Sequence, residues 1–290
     1  ETVEELADHL TYLRISGVIA DAPYLTLAAA HRAGIAAVGI CSLNWADILE
    51  RCVAQQPDAQ RAAGVSQETF SKILQQMRAA YAQAQLIVQP EPALDASSLA
   101  CTPVRPIAHP TANADRDKLL RVIRNRADSL AMANGSCWMV LTSMGGIGLP
   151  LDPGLWPTQC LGRPVVYLMA SSDATAHRHV VTMDFEGFGF DNLMASCDLI
   201  LTKPGYGMFV EARACGKPIL YLARDTWPES RCLEQWVNQH GHASKITLEQ
   251  LAHGEFMVEL QHLLALPTLS PVQFDGAQEA AQHIAAKLLA

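Results

Sequence analysis

The sequence predicts an α/β protein with two Rossmann-like parallel-sheet domains that face a cleft. Short apolar runs alternate with segments of helical periodicity, and strands separated by helices form parallel sheets covered on both faces. The alternation is interrupted by a stretch rich in Pro, Ala and Ser, Pro90–Asn113, which indicates a linker. Two open sheets joined by a linker leave a cleft, and such sheets bind ligands at the carboxyl ends of their strands.

The first third of the chain supplies the elements of one domain. Pro23 suits the first turn of a helix, and Gly34 ends that helix. Phe70, Leu74 and Met77 recur at helical spacing. In order, we expect helix Val3–Leu13, strand Val18–Ala20, a helix from Pro23 to Gly34, strand Ile35–Ile40, helices Trp45–Val53 and Ser66–Gln83, and strand Leu86–Val88.

The second part of the chain repeats the alternation. We expect domains over residues 1–105 and 106–274, with a final segment, 275–290, whose helix returns to the first domain. The expected elements are helix Leu119–Met132, strands Trp138–Thr142, Pro164–Met169, Val180–Met183, Leu199–Leu201 and Ile219–Leu222, a helix that carries Glu211, and helices Leu248–Leu264 and Gln278–Leu289.

Composition excludes several classes of function. The net charge of −8 argues against nucleic acid as the main partner, because phosphate backbones require clustered Lys and Arg. No run of 18 apolar residues is present, so we expect no transmembrane segment, while contact with a membrane surface stays open. The eight Cys are scattered without a CxxC pair, which predicts reduced thiols in a cytoplasmic protein. The chain opens at Glu1 in a helical segment, so we expect no signal peptide, and we expect residues that precede Glu1.

Two glycine turns in the second domain each follow a predicted strand. They are Gly145-Gly146-Ile147-Gly148 and Gly205-Tyr206-Gly207. A glycine turn between a strand and a helix lets the backbone approach a phosphate, and the first amides of the helix are donors at the positive end of its dipole. Glu211 lies one turn inside the second helix, where its carboxylate could accept two ribose hydroxyls. The alternatives are plain turns and a solvated helix carboxylate.

The segment around these turns resembles the donor-binding domain of glycosyltransferases with the B-type (GT-B) fold. That group includes the N-acetylglucosaminyltransferase that completes the peptidoglycan lipid precursor and the UDP-glucuronosyltransferases. The amino-terminal glycosyltransferase-like region of L-arabinokinases is more similar still. The residues that carry the resemblance are Met194–Asp198, Lys203–Gly207, Glu211-Ala212, Lys217-Pro218, Arg224-Asp225, Pro228-Glu229, Ala20–Pro23, Ala29–Ile35 and Ser42–Trp45.

The resemblance implies that the protein binds a nucleoside diphosphate sugar, with UDP or dTDP as the nucleotide. It makes residues 1–105 the acceptor side and 106–274 the donor side. It implies that the loop Met183–Phe188 frames the base. The implied contacts with the diphosphate are Gly145, Gly146, Gly205, Tyr206 and Gly207. The resemblance also implies that Glu211 contacts the ribose diol, Phe185 the base, and Asp225 and Glu229 the sugar.

The acceptor side departs from the family pattern. Nothing before Ile15 matches the opening strand and glycine-rich loop of the family, so we expect an incomplete amino-terminal domain. Asp21 ends a predicted strand and is the candidate catalytic base; its alternative role is to cap the helix that follows. Asn44 and Trp45 either line an acceptor site or cap and pack the next helix.

The resemblance implies inverting transfer without a metal or a cofactor, since a helix terminus can neutralise the departing diphosphate. His177 and His179 form a weak metal pattern that we interpret as ordinary loop residues. The leading hypothesis is a glycosyltransferase whose partners are a nucleotide sugar and an unknown acceptor. Two alternatives stay open: a non-catalytic nucleotide-sugar-binding domain and a UDP-sugar epimerase.

Overall fold

A computed structural model of the chain describes residues 2–56, 58, 63–95, 98–109, 114–126, 136–145, 152–170, 177–183 and 188–289. The chain divides into two compact units. The first comprises Glu1–Ile107, Asp225–Cys232 and Phe274–Ala290, and the second comprises Ala108–Arg224 and Leu233–Gln273.

Strands and helices alternate along both units. The strands are β1 (Gly17–Asp21), β2 (Ala36–Ile40), β3 (Leu86–Pro90), β4 (Thr102–Val104), β5 (Trp138–Ser143), β6 (Gln159–Cys160), β7 (Arg163–Ala170), β8 (Val180–Met183), β9 (Leu199–Thr202), β10 (Ile219–Leu222) and β11 (Ala243–Ile246). The helices are α1 (Val3–Tyr12), α2 (Tyr24–Arg32), α3 (Trp45–Gln55), α4 (Gln67–Tyr81), α5 (Arg116–Arg126), α6 (Phe190–Ser196), α7 (Tyr206–Ala214), α8 (Ser230–His240), α9 (Leu248–His253), α10 (Met257–Ala265) and α11 (Gly276–Leu288).

The first unit has a parallel sheet in the order β1-β2-β3-β4. Its core joins Val18 and Ile87 of the sheet to Leu27 of α2 and Tyr81 of α4. Polar caps start several of the helices: Thr2 forms a capping box on α1, and the side chains of Asn44 and Ser66 cap α3 and α4. The last helix, α11, packs on β2, β3 and β4 through a small cluster that includes Ala280.

The second unit has a sheet in the order β11-β10-β9-β5-β7, with β8 on the far side of β7. These strands are all parallel, and the short β6 pairs antiparallel with β7. The strands β9 and β10 are buried along their whole length, as expected where helices cover both faces of a parallel sheet. The predicted α/β class with parallel sheets is confirmed.

Some expected elements differ in the structure. The sequence predicts one helix over Leu248–Leu264, but α9 and α10 are separate because Gly254 takes a φ of +70°, which ends the first of them. The expected linker Pro90–Asn113 contains β4, which extends the first sheet. The expected helix Leu119–Met132 begins earlier, at Arg116, and its final residues lie outside the described ranges.

The structure bears on two expectations from composition. All eight Cys are free thiols, and Cys41, Cys137, Cys160 and Cys197 are buried. Among the residues with described positions, no helix is both long and apolar enough to cross a membrane.

Candidate functional site

The carboxyl ends of two neighbouring strands in the second unit carry the glycine turns. Strands β5 and β9 pair in parallel, with Ser143 opposite Thr202 at their last residues. The hydroxyl of Thr202 donates to the carbonyl of Ser143 over 2.7 Å, which ties the two strand ends together. Gly145 and Gly205, which follow these strand ends, therefore lie at the same edge of the sheet, the edge where open α/β sheets bind ligands.

A lysine lies against the first of these turns. Gly145 has a φ of +57°, a conformation that glycine adopts without strain. A Cβ placed on Gly145 would lie 3.4 Å from Lys203 Nζ, so the ammonium group approaches the backbone of the turn. No local pattern assigns Lys203 a role of its own, because only the pairing of β5 with β9 brings it to Gly145.

The second turn opens directly into helix α7. Gly205 is the N-cap residue and offers no side-chain oxygen to the first amides of the helix. Tyr206 and Gly207 are the first two helical residues, so their N–H groups belong to the set without an acceptor inside the helix. The start of α7 thus presents backbone N–H donors at the positive end of the helix dipole, an arrangement suited to an anion.

Glu211 faces the start of its own helix and is half-buried. Its Oε1 atom lies 4.0 Å from the position that a Cβ on Gly207 would occupy. Burial raises the pKa of the Glu211 carboxyl, His109 opposes that shift and Asp191 adds to it. Glu211 is thus only partly exposed to solvent, and Gly145, Gly205, Gly207 and Glu211 belong to one edge of the second unit.

Other expected donor contacts lie elsewhere or outside the described ranges. Gly146 and Phe185 are not among the described residues. Asp225 and Glu229 belong to the first unit, where Asp225 is exposed in the turn after β10. Glu229 is buried: its Oε1 accepts from the Ser42 hydroxyl over 3.0 Å and its Oε2 from the Trp227 indole N–H over 3.2 Å.

Asp21 is the exposed last residue of β1. The N-cap position of α2 belongs to Pro23, so Asp21 does not cap that helix. Asn44 does cap α3, because its side-chain oxygen accepts from the N–H of Asp47 over 2.9 Å, which confirms its capping alternative. Trp45 is 42% exposed, and its ring packs in a T-shaped arrangement with the Trp227 ring at a centroid distance of 6.4 Å.

The two histidines of the weak metal pattern have separate partners. His179 is buried with Nε2 2.7 Å from the Pro153 carbonyl, whereas His177 Nε2 lies 3.0 Å from Asp152 Oδ1. Within the described ranges, no three side chains of His, Cys, Asp or Glu come together as metal ligands.

Tyr81 holds the backbone beside Asp21. Its hydroxyl donates to the carbonyl of Ala22 over 2.6 Å and accepts from the N–H of Trp45 over 3.1 Å. Ala22 has a φ of +65°, an unfavourable conformation for alanine that these contacts help to maintain. The buried hydroxyl of Tyr81 thus links the ends of β1 and the start of α3.

We expect Tyr81→Phe to lower the free energy of unfolding by about 1–3 kcal/mol, because it leaves two backbone groups without their partner. Urea unfolding measures the change. Tyr24→Phe is the matched control, since the Tyr24 ring packs on Tyr81 while its hydroxyl has no hydrogen-bond partner among the described residues. Equal losses in the two variants would contradict the role of the Tyr81 hydroxyl.

Comparison with solved structures agrees with this architecture. The spinosyn forosaminyltransferase SpnP matches 99% of this chain and 75% of its own, with a TM-score of 0.58 at 15% identity. The glycosyltransferase VinC in complex with dTDP matches 99% of this chain and 71% of its own, with a TM-score of 0.52 at 18% identity. The Phytolacca americana UGT2, complexed with UDP-2-fluoro-glucose and pterostilbene, matches 91% of this chain and 70% of its own, with a TM-score of 0.52 at 13% identity.

Sequence comparison gives no further relative. No protein-family model matches the chain, and no curated protein does so. At identities of 13–18%, the structural matches establish the fold and nothing beyond it. Two parallel-sheet units and these matches over nearly the whole chain lead to one conclusion: the protein has the GT-B glycosyltransferase fold.

Proposed function

We propose that the protein transfers a sugar from a UDP- or dTDP-linked donor to a hydroxyl group of an acceptor. The observation that carries the proposal is the edge of the second unit, where the Gly145 turn, Lys203, the start of α7 and Glu211 lie together. The structures of VinC with dTDP and of UGT2 with a UDP sugar support the choice of nucleotide.

The two turns suit the diphosphate. Backbone amides at the start of α7 and the ammonium of Lys203 would share its negative charge, and neither Gly145 nor Gly205 has a side chain that would obstruct it. As the bond from the anomeric carbon to the diphosphate oxygen breaks, its electron pair stays on the diphosphate. The same groups would then stabilise the extra charge on the leaving group.

Glu211 suits the ribose. A carboxylate that has lost part of its hydration is destabilised in the free protein, which is the physical cause of its raised pKa. Two ribose hydroxyls donating to it would replace the lost hydration, and hydrogen bonds to charged groups are among the stronger ones in proteins. A perturbed carboxyl beside an anion-binding helix start is also typical of a binding site.

On the acceptor side, we propose Asp21 as the base. It would take the proton of the acceptor hydroxyl while that oxygen forms the new bond to the anomeric carbon, and attack opposite the leaving group inverts the configuration. Asp225 would contact the donor sugar, and Glu229 would hold the adjacent turn through Ser42 and Trp227. The inverting, metal-free course and the closer kinship to L-arabinokinases remain predictions.

Thermal unfolding with UDP, dTDP and GDP tests nucleotide binding. A nucleotide at about 100 times its dissociation constant stabilises the folded state by about 2.7 kcal/mol. Stabilisation by UDP or dTDP supports the proposal, whereas no shift with any of the three would contradict it.

Donor hydrolysis and transfer then separate an enzyme from a non-catalytic binding domain. Asp21→Asn should abolish most of the turnover and leave the nucleotide affinity unchanged. If the protein binds a nucleotide but neither hydrolyses the donor nor transfers its sugar to any of a range of hydroxyl acceptors, only the enzymatic part of the proposal is contradicted.

A further inference from the structure

A second cavity lies at the opposite edge of the second sheet, where the strands begin. Trp138 opens β5, Asp198 precedes β9, Pro218 precedes β10 and His242 precedes β11, and all four line the cavity. The residues after α10, including Thr268, close another side. The volume is about 80 Å³, compared with about 10–15 Å³ for one water molecule on this scale. The space therefore suits a molecule of a few heavy atoms and is too small for a nucleotide.

The carboxylate in this cavity already has its partners. Asp198 Oδ1 lies 2.7 Å from Arg116 Nη1, and its Oδ2 accepts from the N–H of Met139 over 2.8 Å. The Arg116 guanidinium also donates to the Cys137 carbonyl over 2.9 Å. The charge of Asp198 is thus paired with Arg116, and a backbone amide satisfies its second oxygen.

Two basic side chains in the same cavity lack such partners. Lys217 also lines it, and within the described ranges its ammonium has no hydrogen bond or ion pair. The Nε2 atom of His242 is enclosed and has no hydrogen-bond partner there. Burial lowers the pKa of Lys217, and Asp198 opposes that shift. Arg116 and Lys217 together face one carboxylate, so a positive charge is left over beside an unsatisfied imidazole.

The remaining wall is apolar. Leu263, Leu264, Leu266 and Pro267 line it and offer no side-chain acceptor. Water in the cavity would satisfy His242 but would leave the charge of Lys217 without a counter-ion. A partly buried ammonium that shares its nearest carboxylate, Asp198, with Arg116 is costly, and an anion of the right size reduces that cost.

We propose that this cavity binds a small oxyanion, of the size of inorganic phosphate or a short carboxylate. Lys217 provides the charge, His242 Nε2 a hydrogen bond, and the Thr268 hydroxyl can supply another. The site does not depend on the proposed function, since it lies at the edge of the sheet opposite the Gly145 and Gly205 turns.

Titration with inorganic phosphate at constant ionic strength tests the site, with acetate as the parallel probe for a carboxylate. We expect saturable thermal stabilisation and a shift of the His242 ring nitrogen resonances with the same dissociation constant. Lys217→Met should weaken the phosphate affinity at least tenfold. Lys245→Met is the matched control, because it removes the same charge from β11, outside the cavity, and should leave the affinity unchanged.

Several outcomes would overturn the proposal. One is a thermal stabilisation that does not saturate with phosphate, and another is a loss of phosphate affinity in Lys245→Met equal to that in Lys217→Met. The third is displacement of phosphate by UDP, which would place the ion at the glycine turns. If Lys217→Met fails to fold, the His242 ring nitrogen resonances of the unsubstituted protein provide the test. Resonances that stay unchanged at high phosphate and at high acetate would reject the site. Glu211→Ala should keep phosphate binding, so failure of the nucleotide site can be distinguished from failure of this one.

Discussion

Glu211→Ala is expected to weaken the binding of UDP or dTDP by about 10- to 100-fold. The variant removes the carboxylate that would accept both ribose hydroxyls, and a hydrogen bond to a charged group contributes about 1.5–3 kcal/mol. Isothermal titration with each nucleotide measures the change. The diphosphate contacts at Gly145, Lys203 and the start of α7 stay intact, so weak binding should persist.

The same variant should fold as well as the unsubstituted protein. The pKa of Glu211 is raised above its ordinary value of 4.5, so the folded state favours the protonated form. Its contribution to stability is present below pH 4.5 and is lost as the pH rises through the folded pKa, which leaves an ionised, partly desolvated group at neutral pH. Removing that group at pH 7.5 therefore does not lower the free energy of unfolding.

Glu249→Ala is the control for Glu211→Ala. Glu249 is an exposed carboxylate in the first turn of α9, and its loss should leave nucleotide affinity unchanged. Unchanged affinity in Glu211→Ala, or an equal loss in both variants, would remove the proposed role of Glu211.

Gly216→Ala is expected to lower the free energy of unfolding by about 2–5 kcal/mol. Gly216 follows the end of α7 with a φ of +70°, which costs an alanine about 1–2 kcal/mol. A Cβ there would also overlap the carbonyl oxygen of Leu269, and forced overpacking adds about 1–3 kcal/mol. The backbone of residues 269–271 cannot yield as a flexible side chain would.

Gly34→Ala separates the two contributions. Gly34 follows the end of α2 in the same position, with a φ of +69°, but a Cβ there meets nothing within 4 Å. We expect a loss of about 1–2 kcal/mol for this variant, from the backbone conformation alone. Urea unfolding of both variants measures the difference, and equal losses would show that the overlap with Leu269 has no energetic effect.

The sequence predicted the strand-turn-helix units of the second domain because their signals are local. Leu199 to Leu201 is an apolar run, and the glycines at 205 and 207 mark the turn before the helix that carries Glu211. It failed where the signal is weak or ambiguous. Strand β11 is short and partly polar, and Gly254 lies inside a sequence whose apolar periodicity continues past it.

The sequence alone determined the α/β class, the parallel sheets and the start of α7, because apolar periodicity and glycine turns depend on neighbouring residues only. The tertiary structure decided which turns lie together. Lys203 reaches Gly145 because β5 pairs with β9, and Glu211 is half-buried because of the elements packed around it. It also decided that Lys217 and His242 line one cavity. Strand order and burial are set by contacts between residues distant in sequence, which no local pattern encodes.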